Sequence, residues 1–287
     1  MPASRVISGI VAIAIALGMI LLGGWYFTTL FCIIIFLGQR EYFQLVQAKG
    51  IAPAARTTLV VSQIFLIIST FSHSLADAIL PVAGTFICFY LLFQPTIATI
   101  ADIAASILGL FYGGYLPSYW VRLRGLGTAE VANLPLNGYW PDSFDLKSMP
   151  EGLIITLLAF GCIWAADIGA YVFGKTFGKT LLSAISPKKT VEGAVFGVSA
   201  SIGVAVLGAW YLDWPAWPLS GMALGLMIGI ASLLGDLTES LMKRDVGVKD
   251  SGKLIPGHGG ILDRTDSYVF TAPLVFYFVT LLLPLLA

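Results

Sequence analysis

Charge is what this chain has least of. Only 11% of its 287 residues are Asp, Glu, Lys or Arg, against roughly a quarter in soluble domains. That shortage excludes an ordinary water-soluble surface. Cysteine is also scarce: Cys32, Cys88 and Cys162 each stand alone in an apolar run, so neither a disulfide framework nor a thiolate metal site is implied. Histidine occurs twice, at His73 and His258, and two distant histidines do not make an imidazole metal centre. Net charge is zero, so total charge says nothing about partners and gives no reason to expect a nucleic acid.

Hydrophobic residues make up 57% of the chain and the mean hydropathy is +0.89. Several runs approach the ~17–20 apolar residues that carry a helix across ~30 Å of hydrocarbon. A helix also satisfies its own backbone polar groups, as lipid requires. The fold class expected is therefore an all-α polytopic membrane protein with about nine transmembrane helices. The spans are expected at 6–22, 25–37, 57–72, 78–93, 97–119, 152–173, 193–212, 218–235 and 267–287. Residues 6–39 carry no charge; as one helix they would run about 51 Å, too long for one crossing, and Gly23-Gly24 offers a break. The N-terminal run reads as a first membrane helix rather than a cleaved signal, because further apolar sequence follows at once. Residues 1–150 are read as N-terminal membrane helices. Residues 151–287 are read as a catalytic region with loops 174–192 and 236–266, the two forming one integrated membrane domain.

The basic residues choose a side. With alternating spans, Arg5, Arg40, Lys49, Arg56, Lys175, Lys179, Lys188, Lys189, Lys243, Arg244, Lys249, Lys253 and Arg264 fall on one face, and Arg122, Arg124 and Lys147 on the other: thirteen against three. The positive-inside rule makes the first face cytoplasmic, which predicts a plasma-membrane (bacterial inner-membrane) protein whose long polar loops face the cytoplasm. His73 and Asp77 then lie near the opposite face, where solvation is expected.

Four acids stand at the cytoplasmic ends of spans: Asp167, Asp236, Asp263 and Asp266. Carboxylates at such depth are expensive and point to function more often than to solvated helix ends. Three residues separate Asp263 from Asp266, so both share a face if that stretch is helical. Asp102 is also near a span end, but nothing around it suggests chemistry, and a structural role is expected. Around the acids lie Ser186, Lys188 and Lys189 in SPKKTVEG, Lys243, Arg244 and Lys249 in SLMKRDVGVKD, and His258, Gly259, Gly260 and Arg264 in PGHGGILDR. Carboxylates, cations and approachable glycine backbone on one face are what a phosphate-and-metal site requires. GAYVFGKT (169–176) fits the P-loop pattern, but its first half falls inside a membrane helix, where the strand–loop–helix context is missing. Gly221, Gly225 and Gly229, and Gly193, Gly197 and Ser201, form small-residue ridges that read as helix packing.

Residues 240–266, SLMKRDVGVKDSGKLIPGHGGILDRTD, resemble the signature of the phosphatidate cytidylyltransferases (CDP-diacylglycerol synthases). That signature is S-x-x-K-R, four residues, K-D, a short spacer, then P-x-H-G-G-x-x-D-R-x-D. Ser240, Lys243, Arg244, Lys249, Asp250, Pro256, His258, Gly259, Gly260, Asp263, Arg264 and Asp266 all fit it. DIGAYVFGKTFGK, SPKKTVEG and GDLTES extend the resemblance over about 160–270, while the N-terminal half matches only as apolar helices. The resemblance implies that CTP and phosphatidate react to CDP-diacylglycerol and pyrophosphate. It also implies Mg²⁺, a second cation for which K⁺ is a candidate, a lipid-bilayer setting and a homodimer. It assigns catalysis to Asp236, Asp263, Lys249 and Arg264, and metal binding to Asp236, Asp263, Asp266 and Asp167. Substrate contacts fall to Ser186, Lys188, Lys189, Lys243, Arg244, His258, Gly259 and Gly260. Two rivals remain: a CTP-dependent polyprenol or phytol kinase, which would use the γ-phosphorus and want a general base, and a cation transporter, whose acids would sit near mid-membrane.

Overall fold

A computed structural model describes residues 3–95, 97–128, 130–142, 145–255 and 259–286. Pro256, Gly257 and His258 lie outside the described residues, and with them the substrate role read for His258. Among the described residues the regular elements are helical. They are α1 (Ala3–Leu22), α2 (Gly24–Ala48), α3 (Ala55–Ser69), α4 (His73–Leu92), α5 (Ile100–Leu110), α6 (Leu116–Gly125), α7 (Glu151–Phe177), α8 (Val191–Tyr211), α9 (Trp217–Asp245), α10 (Leu262–Val269) and α11 (Thr271–Tyr277). A widened π turn, Phe111–Tyr115, joins α5 to α6, and Ile100–Gly125 forms a single apolar span. Likewise α10, α11 and the turns after them make one span, Leu262–Leu286. Among the described residues seven helices are long and apolar enough to cross a membrane, and Ile13–Leu22 and Ala55–Ser69 are shorter apolar helices. This is a multi-pass membrane protein.

The break between the first two helices falls at Gly23, whose φ is +60°, a left-handed conformation open mainly to glycine. Its cause is Arg124, which is buried and donates from Nε to the Ile20 carbonyl (2.6 Å) and from Nη2 to the Leu21 carbonyl (2.9 Å). These are carbonyls that a helix end leaves without partners. A side chain at position 23 would collide with that guanidinium.

Two sequence expectations change. The second span does not stop at residue 37: α2 runs on to Ala48. Gln39, Arg40 and Glu41 look like loop residues, but nothing there breaks the helix, and Gln39 Nε2 donates to Ser62 Oγ (2.6 Å) and the Gly109 carbonyl (2.9 Å). Arg122 and Arg124, counted as loop charges, are buried in α6. Asp77 is exposed, as expected, and also accepts from Arg122 Nη1 at 2.7 Å and from the Tyr115 hydroxyl at 3.0 Å.

The glycine ridges are packing surfaces within the chain. A Cβ at Gly221 or Gly225 would strike the α8 backbone at Val206 or Ile202, and one at Gly193 or Gly197 would strike the α7 backbone at Ala170 or Ala166. Close backbone approach of this kind is how membrane helices pack without a hydrophobic driving force. The result is a tight α7–α8–α9 core that fixes the helices bearing Asp167 and Asp236. Against it pack α10 and α11, which also touch α2 and α6. Asp102 has the structural role expected: with Thr99 it forms a capping box at the start of α5, and it accepts from the Ala52 N–H at 2.6 Å.

Candidate active site

The C-terminal ends of α7 and α9 and the N-terminal ends of α8 and α10 converge at one end of the bundle. They enclose a polar cavity of about 610 Å³. Its walls include Asp167, Lys175, Ser186, Lys188, Lys189, Asp236, Asp263, Arg264 and Asp266. Eight of the residues singled out in the sequence, all but Lys175 in that list, thus meet in one space. Lys243, Arg244, Lys249, Gly259 and Gly260 are not part of that wall. The P-loop pattern 169–176 lies wholly within α7, so it forms no phosphate-binding loop.

Each wall has a local cause. The α7–α8 connection folds back on itself: Leu182 N–H donates to the Lys189 carbonyl (2.9 Å) and Val191 N–H to the Thr180 carbonyl (3.0 Å). Glu192, in the first turn of α8, clasps the flap by accepting from the Thr180 hydroxyl (2.8 Å) and the Lys179 N–H (3.1 Å). Thr190 caps α8 through the Gly193 N–H (3.2 Å). The flap delivers Lys189 onto Asp236, with which it pairs directly. Ser240, one turn further along α9, donates to Asp236 at 3.3 Å. Arg244 braces the flap from its exposed position, donating from Nη1 to the Val248 carbonyl (3.0 Å) and from Nε to the Ile185 carbonyl (3.4 Å). Lys249 is exposed beyond the end of α9.

Asp263 and Asp266 do lie on one helix, α10, as their spacing suggested. Their surroundings differ. Asp263 Oδ1 accepts from Lys243 Nζ (2.6 Å), and its Oδ2 accepts from Ser251 N–H (2.9 Å), Ser251 Oγ (2.9 Å) and Gly260 N–H (2.8 Å). Both oxygens are therefore occupied by protein donors. Asp266 is buried and accepts from the Ser267 N–H (2.8 Å). Asp167 receives one long bond, from Ser232 Oγ at 3.4 Å. Asp167, Asp236, Asp263 and Asp266 supply hard oxygen donors to the cavity from three different helices, Asp236 and Asp263 being paired with Lys189 and Lys243. Among the described residues no three His, Cys, Asp or Glu side chains are close enough to hold a metal by themselves. One or two carboxylates with substrate oxygens and waters suffice for Mg²⁺, and the donor set fits that mode.

Two carboxylates are not among the site residues read from the sequence. Glu239 has a fully buried side chain and pairs with Lys243, which thereby bridges it to Asp263. It sits in GDLTES, three residues beyond Asp236, and an acid one helical turn from another was the available signal. Glu41, on α2, accepts from Ile261 N–H (3.1 Å) and Leu262 N–H (2.9 Å) and shares the single Ser251 hydroxyl proton (3.1 Å) with Asp263. For Glu41 the sequence offers no such signal.

A second chamber, of about 510 Å³, opens beside the polar cavity and is lined mainly by apolar residues such as Ile13, Ile20, Phe31, Ile34, Trp120 and Phe160. The two spaces share Asp167, Asp263, Arg264, Asp266 and Ser267. A charged compartment and a greasy one therefore meet along the first turns of α10.

Comparison with known proteins places the chain in a family. The profile of the cytidylyltransferase family matches residues 3–282. A phosphatidate cytidylyltransferase of Synechocystis sp. is 65% identical over 291 residues, covering 100% of this chain and 99% of its own. Phosphatidate cytidylyltransferase 4, chloroplastic, of Arabidopsis thaliana is 41% identical over 285 residues, covering 96% of this chain and 72% of its own. A phosphatidate cytidylyltransferase of Staphylococcus aureus is 45% identical over 135 residues, covering 46% of this chain and 51% of its own.

Proposed function

The chain belongs to the cytidylyltransferase family, and from that membership we infer that it transfers the cytidylyl group of CTP to phosphatidate, giving CDP-diacylglycerol and pyrophosphate. The observation that carries this reading is the junction of the two chambers at Asp167, Asp263, Arg264 and Asp266. A nucleotide triphosphate needs a polar, cation-lined space. A diacyl lipid needs an apolar one, and their phosphates must touch.

In this arrangement the triphosphate lies against Lys188, Lys189 and Arg264, and the acyl chains run along the apolar lining of α1, α2 and α6. An oxygen of the lipid phosphate attacks the α-phosphorus in line. The bond from that phosphorus to the oxygen bridging to the β-phosphate breaks, and pyrophosphate leaves with its electron pair. The attacking phosphate is already ionised at neutral pH, so no general base is required. The protein's contribution is positioning and charge stabilisation. Mg²⁺, when bound, would neutralise charge on the attacking and leaving oxygens, and Asp236, Asp263, Asp266 and Asp167 are the side chains available to hold it. A second cation, with K⁺ as candidate, would use the same carboxylates. Asp263 acts through Lys243 and the Gly260 and Ser251 amides and holds the loop. Lys249 and Arg244 guide the nucleotide at the cavity's outer edge.

The site faces the cytoplasm of the plasma membrane in this reading, supported by the basic residues gathered at that end of the bundle, and the working unit is a homodimer. The test is pyrophosphate release by purified enzyme in lipid nanodiscs. It should need CTP and phosphatidate together with Mg²⁺. Release from CTP without the lipid would refute the reading.

A further inference from the structure

Helix α10 carries Asp263, Arg264 and Asp266, yet it has no cap of its own. Ile261 occupies its N-cap position with helical backbone angles and makes no side-chain capping bond. The first N–H groups of a helix need acceptors from outside it. Here the Ile261 and Leu262 N–H groups both donate to the carboxylate of Glu41, which also receives the Ser251 hydroxyl. A carboxylate at a helix N-terminus is further favoured by the helix dipole. Glu41 is buried, and it comes from α2, about 220 residues away in sequence. The loop is shaped to admit it. A Cβ at Gly252 would collide with the Glu41 side chain, and a Cβ at Gly260 would collide with Glu41 and Ser251.

We propose that Glu41 is a positioning residue for the cytidylyl transfer: from the N-terminal half it caps α10 and ties Ser251 to Ile261 and Leu262, and so sets Asp266 and Arg264 at the junction of the two chambers. The inference rests on the proposed reaction for its kinetic part alone. Asp263 ties the same loop to Lys243 on α9. Glu41 ties it to α2, so the first turn of α10 is held from both sides. Small displacements of such a turn cost reaction rate more than substrate affinity, because the two phosphates must line up.

The test uses full-length Glu41→Gln and Glu41→Asp enzymes in nanodiscs, with Gly252→Ala as an independent variant that disturbs the same contact from the other side. Glu41→Gln keeps the shape but turns one acceptor into a donor aimed at a backbone N–H. It should lower kcat at least tenfold per folded enzyme, leave KM for CTP within threefold and keep the melting temperature within a few degrees. Glu41→Asp should recover most of the loss. Gly252→Ala should lower kcat similarly, and combining it with Glu41→Asp should do no further harm. Amide exchange in peptides covering 259–263 should quicken at least tenfold in Glu41→Gln, with the α7–α8 core unchanged. Unchanged exchange at 259–263, acceleration spread evenly over α7 and α8, or kcat within twofold of wild type would each overturn the proposal. A wild-type enzyme without cytidylyl transfer would sink the functional reading instead, and the exchange measurement would still decide the clamp.

Discussion

Lys243 is the residue whose removal tests the site's internal electrostatics most sharply. Its ammonium pairs with Glu239 on its own helix and with Asp263 on α10. The two partner side chains are 0% and 7% exposed, so neither can turn to water when the lysine goes. Lys243→Met keeps the apolar stem and deletes the charge. Breaking a buried pair by deleting one partner costs about 3–5 kcal/mol. The protein can meet that cost by releasing Asp263 from Ser251 and Gly260 or by taking up a proton. Either route disorders the first turn of α10. If about 3–4 kcal/mol of it appears in the barrier, turnover falls by about 10²- to 10³-fold. The assay is incorporation of α-labelled CTP into lipid by nanodisc enzyme, normalised to monodisperse protein. A lysine that instead bound the triphosphate would raise KM for CTP, whereas the pairing predicts a loss in kcat. Adding Glu239→Gln removes one stranded charge, so the double variant should be more active than the product of the single effects requires. Activity of Lys243→Met within threefold of wild type, or strict additivity with Glu239→Gln, would refute the reasoning.

Other consequences follow from the same geometry. Asp236→Asn weakens the ion pair with Lys189 and removes a proposed cation ligand, so turnover should drop at least 100-fold while membrane insertion, followed by fractionation, is unchanged. Arg124→Met strips the end of α1 of two charge-assisted bonds and should destabilise the protein by about 3 kcal/mol, seen as a lower melting temperature in detergent. Gly225→Leu forces α9 away from the Ile202 backbone. Overpacking of that kind costs about 1–3 kcal/mol, and it should lower both melting temperature and activity because Asp236 rides on the same helix.

The periodic features of the chain are legible in its sequence. Uncharged runs mark nearly every span, and small residues four apart announce the α7–α8–α9 packing. The acids at span ends are legible too, because a carboxylate beside a membrane stands out against so little other charge. Pairing across distance is what stays hidden. Arg122 and Arg124 count as loop charges because nothing local shows that Asp77 and the end of α1 await them. The true end of α2 is obscured by Gln39 and Glu41, polar residues whose partners lie on α3, α5 and the 251–262 loop. Asp263 reads as a free acid in sequence, yet its oxygens are filled by Lys243, Ser251 and Gly260. Composition and spacing report which residues could do chemistry. Only the packing of helices distant in sequence decides which of them are left free to do it.

The most direct measurement of cytidylyl transfer follows two labels at once. CTP carrying one label at its α-phosphorus and a second at its γ-phosphorus is supplied with phosphatidate, Mg²⁺ and a prenol. Attack by the lipid phosphate predicts the α label in lipid and the γ label in released pyrophosphate, with the prenol untouched. Label from the γ-phosphorus on the prenol, with the α label left in free CDP, would contradict it.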